Sequence, residues 1–78
     1  MKREYSKQAE RFLDSQSLDT TIRLKSAIGK LPAGDVKKMK GHKNKYRLRV
    51  GDFRILFERN TKSIVIERID NRGQVYKR

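Results

Sequence analysis

The first part of the chain has hydrophobic residues at the spacing of an amphipathic helix. Residues 2–5 predict a short strand, and Ser6 is a suitable N-cap for the helix that follows it. Three apolar side chains then share one helical face: Ala9, Phe12 and Leu13. We therefore expect a helix with one apolar face directly after the strand.

A second amphipathic helix is predicted over residues 18–31. Its apolar stripe consists of Leu18, Ile22, Ala27, Ile28 and Leu31, with Leu24 beside the stripe. The segment Leu31-Pro-Ala-Gly-Asp35 ends this helix, because it contains both a proline and a glycine. The two helices are expected to form a hairpin whose apolar face needs a sheet to cover it.

From Lys45 onward, the hydrophobic pattern changes to the two-residue period of β-strands. The predicted strands cover residues 45–50, 53–57, 64–69 and 74–77. The turns between them are predicted at residues 51–52, 60–63 and 72–73. Gly51-Asp52 has glycine at the first central position, as a type II′ hairpin turn requires. The lysine-rich segment 37–45 is expected to be the loop between the helical and β halves.

The order of these elements is β-α-α-β-β-β-β, which predicts an α+β fold. We expect two N-terminal helices packed as a hairpin on one face of a small, mostly antiparallel twisted sheet. The length of 78 residues allows one domain, which would cover residues 1–78.

The two-residue turn at Gly51-Asp52 determines which residues face each other in the first hairpin. The expected pairs are Val50 with Phe53, Leu48 with Ile55, and Tyr46 with Phe57. All six side chains are apolar or aromatic, and they share the face that the helices should cover. The opposite face carries Arg47, Arg49 and Arg54, and Arg54 lies directly opposite Arg49.

Like charges that face each other destabilise a sheet. Two explanations are open for Arg49 and Arg54: their side chains spread into water, or the face binds an anion such as phosphate. A pairing of Phe57 with Ile64 across the second turn would also place Glu67 opposite Arg54. A carboxylate there would hold the guanidinium group in place.

The composition favours a folded domain and excludes disulfides and several kinds of metal site. Charged residues make up 38% of the chain, against ~25% in typical domains, but the apolar residues are clustered and favour a folded domain. Because the chain has no cysteine and one histidine, His42, we exclude disulfides, thiolate zinc sites and multi-histidine metal sites. We expect neither a metal ion nor a cofactor.

The sequence also bears on location and partners. No apolar run approaches the ~18 residues of a membrane span, and the polar N-terminus has no signal-peptide core. We therefore expect a cytoplasmic protein. Of the formal net charge of +12, residues 37–78 carry +10. Such an excess predicts a polyanionic partner, and nucleic acid is the first candidate.

Several segments, taken in order, carry a resemblance to a known family. They are Tyr46-Arg-Leu-Arg-Val-Gly-Asp-Phe-Arg54 and Asp70-Asn-Arg-Gly-Gln-Val-Tyr76, together with the helix start at residues 7–12 and Leu31-Pro-Ala-Gly-Asp35 followed by lysines and Gly41. This chain resembles the RelE branch of the RelE/ParE toxins of bacterial toxin–antitoxin systems. The resemblance covers essentially the whole chain.

The resemblance implies a ribosome-dependent mRNA endonuclease that inhibits translation. In such toxins the 2′-hydroxyl attacks the adjacent phosphorus and leaves a 2′,3′-cyclic phosphate, without a metal ion. The implied partners are the ribosome, mRNA and a cognate antitoxin, for which we expect an acidic, amphipathic segment. By position, the implied catalytic residues are Arg47, Arg49, Arg54, Arg72 and Tyr76. The lysines expected to bind RNA or the ribosome are Lys37, Lys38, Lys40, Lys43 and Lys45.

Two features of these residues leave alternatives. The best-known members have lysines where this chain has Arg47 and Arg49, and arginine effectively cannot accept a proton. The general base is therefore not identified: His42 is a candidate, and the alternative is a solvated loop histidine. Tyr76 is expected either to stack on a base or hydrogen-bond to the nucleotide, or to pack at the sheet edge.

Two other functions fit the same pattern. A ParE-like gyrase inhibitor would share the fold but lack the cleavage residues, and the combination of Arg54, Arg72 and Tyr76 argues against it. A small, non-catalytic RNA-binding protein would use the basic sheet face equally well.

Overall fold

A computed structural model describes residues 2–71, which contain two helices and five strands. In chain order these are β1 (Lys2–Tyr5), α1 (Lys7–Asp14), α2 (Leu18–Gly29), β2 (Asp35–Lys38), β3 (Lys45–Val50), β4 (Phe53–Arg59) and β5 (Ser63–Asn71). The strands form one sheet in the order β1-β5-β4-β3-β2. Only β1 and β5 run parallel, so the expected α+β fold with a mostly antiparallel sheet is confirmed.

Serine side chains begin both helices. The Ser6 hydroxyl oxygen accepts a hydrogen bond from the backbone N–H of Ala9 at 3.1 Å, which confirms the predicted N-cap. In α2, Ser17 accepts from the backbone N–H of Thr20 at 3.2 Å. Each cap satisfies a backbone donor that has no partner within its helix.

The helices cover one face of the sheet, and the core lies between them. Its buried residues are Ala9, Leu13, Leu24, Ile28, Leu31, Leu48, Ile55, Phe57, Ile64, Ile66 and Ile69. The register of β3 with β4 has Val50 opposite Phe53, Leu48 opposite Ile55 and Tyr46 opposite Phe57, as expected. Successive side chains of a strand point to opposite faces, so the alternate residues of β3 and β4 form the face that α1 and α2 leave uncovered.

The second helix begins at Leu18 as predicted, but it differs from its prediction in which side chains are buried and in where it ends. Leu18 and Ile22, expected in the buried stripe, are 74% and 58% exposed, whereas Leu24, expected beside the stripe, is fully buried. The helix also ends at Gly29 rather than Leu31. The physical reason for the first difference is that α2 turns the row containing Leu24 and Ile28 toward the sheet.

Arg3 stabilises the C-terminal end of α2. Its Nε atom donates to the carbonyl oxygen of Ile28 at 2.9 Å, and its Nη2 atom donates to those of Gly29 and Leu31 at 3.0 and 2.8 Å. The last carbonyl groups of a helix have no partner within the helix. A cation is also favoured there by the helix dipole, so β1 holds the end of α2 in place.

The prediction of a loop over residues 37–45 is wrong for its first two residues, because Asp35–Lys38 form the strand β2. Its backbone pairs with β3 through Val36 opposite Leu48 and Lys37 opposite Arg47. Val36 is the only apolar residue of this strand, so the sequence showed no alternation there. The predicted turn at residues 72–73 and the predicted strand over residues 74–77 lie outside the described residues.

A β-bulge in β5 changes the register of the second hairpin. Leu56 pairs with Arg68 and Phe57 pairs with Ile66, so Glu67 is the extra residue between them. The predicted pairing of Phe57 with Ile64 is wrong for a different reason: the turn before β5 places Ile64 opposite Arg59, which puts Ile66 opposite Phe57. The bulge reverses which positions of β5 face the helices, and this is how Ile66 and Ile69 are both buried.

No helix within residues 2–71 combines the length and the apolar character needed to cross a membrane.

Candidate nucleic-acid interface

A groove of about 750 Å³ opens on the sheet face that the helices leave uncovered. It is lined by Lys37, Lys38, Met39, Lys40, Arg47, Arg54 and Leu56, and we call it the basic groove. Five of these side chains are basic, two are apolar and none is acidic. Such a lining attracts the phosphate groups of a nucleic acid, and the apolar residues give a surface for a ribose or a base.

The strand register explains how these side chains come together. Lys37 on β2 lies opposite Arg47 on β3, and Arg47 lies opposite Leu56 on β4. This row crosses three strands and forms the floor of the basic groove. The strand β2 thus brings lysines from the segment predicted as a loop next to an arginine of the first hairpin.

A second row contains two arginines between two aspartates. Asp35 lies opposite Arg49, Arg49 opposite Arg54, and Arg54 opposite Asp70. The predicted pairing of Arg49 with Arg54 is confirmed. The ion pair of Arg54 with Asp70 offsets part of the repulsion between the like charges. A carboxylate opposite Arg54 was expected, but from Glu67 rather than Asp70.

Asp70 is the ion-pair partner of Arg54. Nη2 of Arg54 donates to Oδ2 of Asp70 at 3.0 Å, and Nε of Arg68 lies 3.6 Å from the same oxygen. The expectation that Glu67 would lie opposite Arg54 is wrong, because the turn shifts the pairing by two residues and the bulge shifts it by one more, which places Asp70 there. Nε of Arg54 and Oδ1 of Asp70 are buried and have no hydrogen-bond partner among residues 2–71.

Lys45 is bound by Glu67 instead. Nζ of Lys45 donates to the two carboxylate oxygens of Glu67 at 2.8 and 3.0 Å. This hydrogen bonding raises the pKa of Lys45, and the negative charges of Glu67 and Glu58 act in the same direction. Lys45 is therefore a paired cation, and it does not line the basic groove.

The remaining predicted residues lie elsewhere. Arg49 lines a separate hollow of about 310 Å³ beside α2. His42 and Lys43 are exposed in the loop after β2, where they line a shallow hollow with Lys38, Met39, Lys40 and Gly41. Arg72 and Tyr76 lie outside the described residues. The structure thus brings together Arg47, Arg54 and three of the five predicted lysines.

Three residues of this surface were not predicted from the sequence. Leu56 could have been found, because it alternates with Ile55 and Phe57 and so belongs to the arginine face. Met39 and Asp70 had no such signal in the sequence. The position of Met39 depends on β2, and the position of Asp70 depends on the bulge in β5.

The chemistry of the basic groove is that of an anion site. Guanidinium groups present planar pairs of donors that match two phosphate oxygens. Lysine ammonium groups add positive charge without a fixed geometry. Among residues 2–71, no group of three or more His, Cys, Asp or Glu side chains is arranged to hold a metal ion.

We compared the chain with family models, curated proteins and solved structures. No family model matches the sequence. A segment of 42 residues, 54% of this chain, is 45% identical to Toxin RelE3 of Methanocaldococcus jannaschii and covers 48% of that relative. The chain thus spans about half the length of the curated relative it matches.

Solved structures match over nearly the whole chain. The RelB–RelE antitoxin–toxin complex from Methanococcus jannaschii matches with a TM-score of 0.74 at 28% identity, covering 95% of both chains. The archaeal RelE–RelB complex from Pyrococcus horikoshii gives 0.74 at 26% identity, covering 94% of this chain and 96% of that one. The RelBE2 complex from Mycobacterium tuberculosis, at 22% identity and 0.75, covers 91% and 96% and supports the fold. The chain is therefore similar to RelE toxins, in sequence over the 42-residue segment and in fold over nearly its whole length.

Proposed function

We propose that this chain is the toxin of a toxin–antitoxin pair and cleaves mRNA on the ribosome without a metal ion. The observation that carries this proposal is the basic groove, to which residues 2–71 contribute five basic side chains and no acidic one. The groove lies on the open face of the sheet, where an RNA strand reaches it without displacing a helix.

The proposed reaction is an internal phosphoryl transfer. The 2′-oxygen of one nucleotide bonds to the adjacent phosphorus, and the bond from phosphorus to the 5′-oxygen of the next nucleotide breaks. The 2′-hydroxyl loses its proton and the leaving 5′-oxygen gains one, which gives a 2′,3′-cyclic phosphate and a 5′-hydroxyl. Negative charge accumulates on the phosphorane oxygens, so the main requirements are positioning and electrostatic stabilisation.

Arg54 and Arg47 are the residues best placed for that stabilisation. Arginine carries five N–H donors, and Asp70 accepts from one of those of Arg54. The pair with Asp70 keeps the guanidinium group from swinging into water and leaves donors for a phosphate. Leu56 and Met39 line the same groove and offer apolar contact to the nucleotide.

Two of the other predicted catalytic residues keep supporting roles in the proposal. Arg72 is assigned to the phosphate and Tyr76 to the nucleotide base, both by their positions in the family pattern. His42 is exposed and does not line the basic groove, so the proposal gives it no role as general base. Arg49 lies opposite Arg54 in the sheet but lines the separate hollow beside α2, so the proposal gives it no role in the basic groove.

The proposed partner is an acidic antitoxin. The solved relatives above are complexes of a RelE toxin with a RelB antitoxin. A net charge of +12 on 78 residues creates self-repulsion that an acidic partner would relieve.

Cleavage of translated mRNA tests the proposal. The chain is added to a translating extract, and cut sites are mapped by primer extension for the wild type, Arg54→Ala and the matched control Arg11→Ala. Arg11→Ala removes one positive charge, as Arg54→Ala does. Arg11 is exposed on α1 and does not line the basic groove, so this control separates the loss of charge from the loss of the groove residue. We expect cuts with the wild type and Arg11→Ala, and ~10²-fold fewer with Arg54→Ala.

Two results would contradict the proposal. Trapped gyrase–DNA complexes without mRNA cuts would indicate a ParE-like inhibitor. Ribosome or RNA binding without cuts would indicate a non-catalytic binding protein.

A further inference from the structure

The outer flank of α2 combines exposed apolar residues with a cationic hollow. Leu18 and Ile22 are 74% and 58% exposed, and they are the only large hydrophobic residues that residues 2–71 leave in water. They are four positions apart, so they lie next to each other on the helix surface. Ser26 and Lys30 continue the same row.

This row leads into the hollow beside α2. The hollow has a volume of about 310 Å³, and its apolar lining comes from Ala27, Leu48 and Val50. The basic residues around it are Arg23, Lys30 and Arg49, and the one acidic residue is Asp35. We call the surface formed by Leu18, Ile22, Arg23, Ser26, Lys30 and the hollow the α2 flank.

The hairpin turn gives the α2 flank part of its shape. Gly51 has a φ of +58°, and the guanidinium group of Arg23 lies against it, in the space that a side chain at this position would occupy. Glycine at this turn thus allows both the backbone conformation and the position of Arg23. The cationic rim is therefore built jointly by α2 and the β3–β4 turn.

We infer that the α2 flank binds an acidic, amphipathic helix of the antitoxin. The inference rests on the proposed function, since it assigns the proposed partner to a surface. Aliphatic residues at helical spacing pack against the apolar face of another helix. The row from Leu18 to Lys30 is ~18 Å long at 1.5 Å per residue, which matches about three turns of a partner helix.

The chemistry of the α2 flank favours a polypeptide over RNA. RNA bases stack on aromatic rings or guanidinium planes, and Leu18 and Ile22 offer neither. Acidic side chains beside the apolar face of the partner would meet Arg23, Lys30 and Arg49. The α2 flank and the basic groove are lined by different residues, so one surface would hold the antitoxin and the other RNA.

The test uses the complex as it is made in the cell. This chain is co-expressed with the protein encoded next to it in its operon, and the dissociation rate of that protein is measured by competition with an unlabelled excess. The variants are Leu18→Ser/Ile22→Ser and Lys30→Glu, with Lys7→Glu as the matched charge control at the start of α1. All four side chains are exposed, so the fold is retained.

We expect dissociation to be at least tenfold faster for both flank variants and unchanged for Lys7→Glu. Growth arrest by the free Leu18→Ser/Ile22→Ser chain should equal that of the wild type. Equal dissociation rates for all variants would overturn the inference and leave the proposed function intact. If the wild-type chain neither binds the neighbouring protein nor arrests growth, the proposed function itself fails. A flank variant that turns a dimer of this chain into a monomer would show a self-contact and overturn the inference.

Discussion

Nη2 of Arg54 lies 3.0 Å from Oδ2 of Asp70, the residue directly opposite it in the sheet. Arg54 also faces Arg49 on its other side. The same arginine is therefore attracted to one neighbouring strand and repelled by the other. The ion pair with Asp70 therefore offsets part of the repulsion that Arg54 experiences on the open sheet face.

Asp70→Ala should destabilise the protein more than Arg54→Ala. The first change leaves Arg54 next to Arg49 without its carboxylate, whereas the second removes the repulsion together with the attraction. Because the pair is about one-third exposed, its coupling is limited to ~1 kcal/mol. That energy corresponds to ~4–8 °C in the melting temperature of a domain of this size.

Thermal unfolding followed by circular dichroism measures both effects. The double variant Arg54→Ala/Asp70→Ala completes the cycle, and Asp70→Ala should cost less in the background that lacks Arg54. Equal losses for Asp70→Ala in both backgrounds would show that the two side chains do not stabilise each other.

Arg54→Lys should separate the charge of this residue from its geometry. If a point charge is enough, lysine restores most of the mRNA cleavage that Arg54→Ala loses. If two donors must hold the phosphate together, cleavage stays near the level of Arg54→Ala. We expect the second result, because Asp70 holds one donor of the guanidinium group in place and the other donors can bind two phosphate oxygens together.

Single-turnover cleavage and ribosome binding are measured side by side for this variant. Binding should change less than threefold, since many other basic residues contribute to the sequence-independent phosphate attraction. A parallel loss of binding and cleavage would indicate that Arg54 serves only for adhesion.

The first hairpin could be predicted because its turn contains two residues. Gly51-Asp52 leaves one possible register, and the apolar alternation of β3 and β4 agrees with it. The second hairpin could not be predicted in the same way. Its register shifts at Glu67, and no residue type in β5 indicates where a bulge will form. The ion-pair partner of Arg54 was therefore missed.

Helix α2 shows a different limit. It carries two apolar rows, one through Leu18 and Ile22 and one through Leu24 and Ile28, and both have helical spacing. Periodicity alone does not say which row meets the sheet. The exposed row became visible as a surface only in the folded chain. The basic groove likewise could not be predicted from the sequence. Part of its lining comes from β2, and the four residues of β2 show no alternation of apolar and polar side chains.

Two glycines should respond oppositely to alanine. Gly51→Ala places a side chain at a φ of +58° and against Arg23, and this backbone conformation alone costs ~1–2 kcal/mol. Gly29 ends α2 with no positive φ and with nothing within 4 Å of an added Cβ. Gly29→Ala should stabilise the protein by ~0.4–1 kcal/mol. Urea unfolding of both variants measures the difference, and a stabilising Gly51→Ala would contradict the turn geometry.

The ion pair of Lys45 with Glu67 should make stability fall at high pH. Hydrogen bonding to Glu67 raises the pKa of Lys45 above its ordinary value of 10.5. The folded chain therefore holds this proton more tightly than the unfolded chain does. The resulting stabilisation is complete below pH 10.5 and is lost as the pH rises through the folded-state pKa.

Glu67→Gln isolates this contribution, because it removes the carboxylate but keeps a polar side chain at the bulge. Burial also raises the pKa of Tyr5, but Tyr5 is present in both proteins and its effect cancels in the difference. Urea midpoints are measured from pH 8 to above pH 11. The advantage of the wild type over Glu67→Gln should stay constant up to about pH 10 and shrink above it, as the raised pKa requires. A difference that grows above pH 10 would mean that Lys45 loses its proton more easily in the folded chain than in the unfolded one.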